Sequence, residues 1–111
     1  MTDQPSLFRQ REQEDAQRLT AAFLTALSDG QWHLRRDLCR QIPGLTERGA
    51  RLIASESRGR VIGSARGYKL TIHATQAEVD HAEAQLRSQA REMLRRVIAI
   101  RKARNAGGRA A

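Results

Sequence analysis

A chain of 111 residues, 40% hydrophobic and 29% charged, is long enough for one modest core and too apolar for wholesale disorder. Twenty Lys and Arg against twelve Asp and Glu leave a formal charge of +8, an excess that attracts a polyanion, nucleic acid first among them. Four aromatic residues are too few for a single-strand binder built on base stacking, a lone cysteine (Cys39) excludes an internal disulfide, and no apolar run has the length of a membrane span or a signal-peptide core, so the cytoplasm is the expected compartment.

Residues 1–10 are polar, contain Pro5 and show no period, which reads as a flexible arm with Leu7 and Phe8 as docking points. From about Arg11 to Leu27 the apolar positions Leu19, Ala22, Phe23, Ala26 and Leu27 follow the i, i+3, i+4, i+7, i+8 spacing of one helix face. Gly30 suits the left-handed residue that ends such a helix. Gln31-Trp32-His33-Leu34 reads as a short extended piece that pairs with a later strand. A second helix, about Arg35 to Gln41, puts Leu34, Leu38 and Ile42 on one face and carries Cys39 as a small core residue. Pro43 cannot continue that helix, and Gly44 completes the turn.

Thr46 is a suitable N-cap for a third helix, and Glu47 favours its positive end. Ala50, Ile53 and Ala54 are expected to face the core, with Leu52 ambiguous; Arg48, Arg51 and Ser55 then share the solvent side. Ser57-Arg58-Gly59 breaks the helix. A two-stranded ribbon follows: Arg60 to Ser64, a turn at Ala65-Arg66-Gly67, and Tyr68 to Ile72. In its second strand Tyr68, Leu70 and Ile72 alternate with Lys69 and Thr71, while Val61 and Ile62 leave the register of the first strand open. Gly67 supplies the positive φ a hairpin turn needs.

Thr75-Gln76-Ala77-Glu78 has the form of a capping box and opens a long helix to about Arg104, ended by Asn105-Ala106-Gly107-Gly108. Its first turns are acidic and its last turns basic, which complements the helix dipole. Val79, Ala82, Leu86, Ala90, Met93, Val97 and Ile100 recur at steps of three and four, a coiled-coil-like seam that Leu94 and Ile98 widen. A patch made by Leu86, Met93, Leu94, Val97 and Ile98 needs a cover: the first helix of the same chain, a second copy, or a different protein. A second copy is favoured, since a dimer doubles the contacts available on a palindromic site.

The order helix, turn, helix, ribbon is the winged-helix plan, in which the helix after the turn enters a major groove and the ribbon lies along a neighbouring backbone. The expected fold is therefore mostly α with a small β-hairpin (α+β): a flexible arm at 1–10, a winged helix-turn-helix domain at 11–73, a long C-terminal helix for dimerisation or partner binding at 74–105, and a flexible tail at 106–111.

Catalytic signals are few. His33, His73 and His81 are dispersed, with no metal-ligand spacing, and neither a P-loop nor a dinucleotide fingerprint is present. No enzyme activity, cofactor or metal is expected. For recognition the sequence carries more. Between Leu45 and Leu70 the cations are Arg48, Arg51, Arg58, Arg60, Arg66 and Lys69, against Glu47 and Glu56 alone. An arginine fork can take guanine O6 and N7 together, or grip a phosphate. Arg48 and Arg51 are read as base contacts, with Thr46 and Ser55 as lesser ones. Arg58, Arg60, Arg66 and Lys69 are read as meeting phosphate or the minor groove, with Arg35 and Arg36 reaching the backbone.

The runs Leu45-Thr46-Glu47-Arg48-Gly49-Ala50-Arg51, Gly59-Arg60-Val61-Ile62-Gly63-Ser64 and Gly67-Tyr68-Lys69-Leu70-Thr71 resemble small winged-helix proteins of bacteriophages and prophages, whose third helix tends to read R-x-x-R and whose wing reads I-x-S … G-Y-[KR]-L. Gln89-Ala90-Arg91-Glu92-Met93-Leu94-Arg95-Arg96 looks like the long helix that follows their wing. The likeness covers roughly residues 17–102, and Gly49 departs from the bulkier residue usual there. It implies binding of double-stranded DNA in transcription regulation or phage replication. The competing expectation is a protein-interaction adaptor that grips another protein through the long helix without sequence-specific DNA binding.

Overall fold

The computed structural model describes residues 6–110, with the side chains of 109 and 110 left aside. It is α+β, mostly helical, with one small antiparallel hairpin and a long C-terminal helix. Two compact units divide at Thr75 and Gln76.

In the first unit, α1 spans Leu7–Ala26. It begins four residues ahead of the expected start, because the Ser6 hydroxyl accepts the Arg9 N–H at 3.3 Å and so caps the first turn. The expected arm therefore loses its second half to helix, with Leu7 and Phe8 exposed on it; residues 1–5 lie outside the described residues. A single 3₁₀ turn, Leu27–Asp29, tightens the end, and Gly30 takes the left-handed conformation at φ 76°. Asp29 holds the loop beyond it. Its Oδ1 accepts the Gln31 N–H at 2.9 Å and meets His33 Nε2 at 2.9 Å. Those two contacts hold the Asp29 carboxyl below its ordinary 3.8. A depressed carboxylate stabilises above its unfolded value and loses that contribution as pH falls through its folded one. Asp29→Asn is therefore expected to flatten the melting-temperature decline below about pH 4. Near neutrality the side chain's half-exposed position, where water screens the contact, keeps the change to about a degree or two.

The extended piece is reduced to one residue: His33 makes an antiparallel bridge with Tyr68, through N–H to O bonds of 2.9 and 2.8 Å. Helix α2 spans Arg35–Gln41 and α3 spans Glu47–Glu56, joined through Pro43 and Gly44. The Thr46 hydroxyl accepts the Gly49 N–H at 3.0 Å, the expected cap. Strands β1 (Val61–Ser64) and β2 (Gly67–Leu70) pair with Val61 opposite Leu70 and Ser64 opposite Gly67. This settles the open register: Val61 is buried, and Ile62, opposite Lys69, is half-buried. The alternation does not reach Ile72. Thr71 N–H bonds back to Arg60 O, Thr71–His73 coil into a 3₁₀ turn, and Ile72 is left 83% exposed.

The core is Phe23 and Leu27 from α1 and the turn after it, Leu38 and Ile42 from α2 and its end, Leu45 and Ala50 around the start of α3, and Val61. Cys39, Ile53, Ala54, Tyr68 and Leu70 pack around it, and Tyr68 meets Phe23 edge-on, with ring centroids 5.6 Å apart. One buried polar side chain, Ser57, joins α3 to β1: its hydroxyl donates to Ala54 O at 2.7 Å and accepts the Val61 N–H at 3.2 Å. Ser57→Ala leaves that N–H unpaired and is expected to cost about 1–3 kcal/mol, read as a lower urea midpoint at unchanged m-value.

The second unit is α4, Gln76–Ala110, directly after Thr75. Its 35 residues extend about 52 Å at about 1.5 Å per residue. It runs on through Gly107 and Gly108, past the expected end near Arg104, because glycine lowers helix propensity without forbidding helical dihedrals as proline does. The expected tail is thus helix as far as Ala110, and Ala111 lies outside the described residues. From Glu83 to Gly108 every residue is exposed, Leu86, Met93, Leu94, Val97, Ile98 and Ile100 among them. No described helix is long and apolar enough to cross a membrane.

Candidate nucleic-acid interface

Helix α3 is oriented by its own small residues. Ala50 is fully buried and Ile53 and Ala54 are half-buried, which turns Arg48, Arg51 and Ser55 outward. The α2–α3 and α3–β1 contacts hold that orientation from both ends. Arg48 and Arg51 make no ion pair among the described residues, although Glu47 stands one turn from Arg51. Their exposed guanidinium groups present planar forks of donors, which suits them to a planar acceptor pair.

Leu52 is the residue that the sequence left ambiguous. It is 54% exposed and, at i+4 from Arg48, stands on the cationic face. A hydrophobic-periodicity argument wants a leucine inside, and only the orientation of α3 reveals otherwise. An exposed aliphatic group beside Arg48 suits the methyl group of thymine.

The two hydroxyl candidates are partly committed. Thr46 Oγ1 accepts the cap bond and retains its proton for a phosphate oxygen. Ser55 Oγ donates to Leu52 O at 3.0 Å, so it can accept from a ligand but must break that bond to donate.

Beyond α3 the cations differ in freedom. Arg58 is exposed at φ 58°, the one described residue other than glycine with positive φ. Glycine would adopt that left-handed conformation at lower cost than arginine does. Arg60 is exposed, but its Nε donates to Ser57 O at 3.0 Å, fixing the stem while the terminal amines point onward. Arg66 is exposed in the two-residue loop between the strands, with its N–H on Ser64 Oγ at 3.0 Å. Lys69 is half-buried, its ammonium 5.5 Å from the centroid of the Trp32 ring. That cation–π contact competes with a phosphate.

The α2 pair divides. Arg36 is exposed, whereas Arg35 is half-buried, and its Nε is inaccessible and lacks a hydrogen-bond partner. Arg35 is the weakest of the ten candidates. The structure thus brings together Arg48, Arg51, Leu52 and Ser55 on one face of α3, followed along the chain by Arg58, Arg60 and Arg66; it ties Lys69 to Trp32 and draws Arg35 inward. Among the described residues no group of three or more His, Cys, Asp or Glu side chains is placed to hold a metal ion. Comparison with protein-family models, with curated proteins and with solved structures gave no match.

Proposed function

We propose that residues 6–75 are a winged helix-turn-helix unit that binds double-stranded DNA, with α3 in the major groove and the β1–β2 hairpin against a backbone. The observation that carries this reading is the outward face of α3: two exposed arginines one turn apart, unpaired among the described residues, beside an exposed leucine. In this reading Arg48, Arg51 and Leu52 meet base edges, while Arg36, Arg58, Arg60 and Arg66 meet phosphates and set the register. The protein acts by occupying DNA, as a transcriptional regulator or a phage replication factor, without chemistry or cofactor. The α4 helix joins two copies.

The test is titration of labelled duplexes over a range of salt. With about six phosphates neutralised, log affinity is expected to fall against log salt with a slope near −5. Affinity flat in salt removes the proposal. A second reading is favoured by one observation, the exposed apolar side chains of α4. There the chain is an adaptor whose α4 grips another protein, and Leu94→Asp or Ile98→Asp abolishes capture while duplex affinity is absent throughout.

A further inference from the structure

The exposed apolar residues of α4 raise a question of direction. Taking about 100° per residue, Leu86, Met93, Leu94, Val97, Ile98 and Ile100 fall within a sector of about 160°. The same sector is continued by Glu83 one turn before Leu86, and by Arg101 and Arg104 just after Ile100. The stripe is therefore acidic at one end and basic at the other. Its surroundings repeat the pattern. From Gln76 to Glu83 there are three acids (Glu78, Asp80, Glu83) and neither Lys nor Arg; from Ala84 to Gly108 there are seven Lys or Arg and one acid, Glu92.

We infer that two copies of the chain pair through α4 in antiparallel orientation, with the two-fold axis near Met93. The inference rests on the self-association read for α4 above and adds its direction. About Met93, Leu86 comes level with the partner's Ile100, and Glu83 comes level with the segment holding the partner's Arg101 and the partner's Arg104. A parallel pair sets each level against itself: Glu83 on the partner's Glu83, Arg101 on the partner's Arg101. Single exposed pairs contribute little, and Arg91 comes level with the partner's Arg95, but the Glu83 level has the attractive sign in the antiparallel arrangement and the repulsive sign in the parallel one. Within one helix Arg87 is held towards Glu83 at 3.7 Å, on the Leu94–Ile98 edge, which leaves the Leu86, Met93, Val97 and Ile100 line clear. That line is about 21 Å long at about 1.5 Å per residue, a small interface, so the dimer dissociates on dilution.

Direction has a large geometric consequence. In the antiparallel pair the two Gln76 residues, where each α4 receives its chain, stand about 50 Å apart along the axis; in a parallel pair they stand about one interhelix distance apart, roughly 10 Å. The experiment uses the full chain with Cys39→Ala and Gln76→Cys, spin-labelled at that exposed position. Light scattering first gives the mass across a concentration series, and pulsed dipolar spectroscopy then gives the label separation. A dimer with labels about 50 Å apart is expected. A dimer with labels within about 20 Å overturns the antiparallel pairing while keeping self-association, and a monomer at every concentration removes both. A second measurement leaves the fold unaltered: raising salt from about 0.05 to about 0.5 M is expected to weaken the dimer several-fold, whereas a parallel dimer strengthens. Glu83→Arg is expected to weaken it further, and Glu83→Arg with Arg101→Glu and Arg104→Glu to restore it.

Discussion

Gly67→Ala is expected to cost about 3 kcal/mol or more and to lower the melting temperature by about 10 °C or more. Two effects add at this residue. Its φ of 109° lies where L side chains are strained. A Cβ there would also overlap the carbonyl oxygen of His33 and come within 2.8 Å of the Leu34 Cα. Both neighbours are backbone, so neither can swing aside. The same His33 oxygen accepts the Tyr68 N–H, the bond that fastens the hairpin to the segment before α2. Displacing it loosens the Tyr68 ring on Phe23 as well. With total stabilities of about 5–15 kcal/mol, a loss of this size populates unfolded chain near physiological temperature. Gly63→Ala is the control: its Cβ would meet the Tyr68 ring at 3.4 Å, an ordinary contact, and the cost is expected below ~1 kcal/mol. A Gly67→Ala protein that melts within a degree or two of the parent would mean that the two chain segments do not approach so closely.

Gly67 also shows what kind of information the sequence carried. The turn glycine, the Thr46 cap, the Pro43-Gly44 turn and the outward Arg48 and Arg51 are legible because each depends on neighbours within a few residues. What escaped depends on chain brought from further away. Ile72 continues the period of β2, but Thr71 returns to the start of β1 through Arg60 O, and the strand stops. Lys69 reads as a free cation until the fold sets it over Trp32, thirty-seven positions earlier. Arg35 reads as a helix-start arginine until packing closes over its Nε. The ends of α1 and α4 escaped for a different reason: a single serine hydroxyl and a pair of glycines weigh only about 1 kcal/mol each way, too little to mark a helix end from composition.

Arg48→Ala with Arg51→Ala is expected to abolish discrimination between sequences while leaving the fold in place. Both side chains are exposed, neither makes an ion pair among the described residues, and alanine favours helix at least as well as arginine. Stability should therefore stay within about 0.5 kcal/mol, so a binding loss cannot be blamed on unfolding. A good bidentate contact is worth about 1–3 kcal/mol of base discrimination, roughly 10- to 100-fold for each arginine. The measurement is selection of duplexes from a random pool, followed by affinity for the selected site against an unrelated one. Arg66→Ala is the contrasting variant: without its grip on one phosphate, the protein should bind all duplexes more weakly alike, with the salt slope reduced by about 1. Leu52→Ser should act in between, lowering preference at thymine positions alone. If the double variant selects the same sequences with the same affinity as the parent, the outward face of α3 does not read DNA. The basic charge would then be a solvated surface, and α4, with its exposed apolar stripe, would become the working part of the molecule as an adaptor.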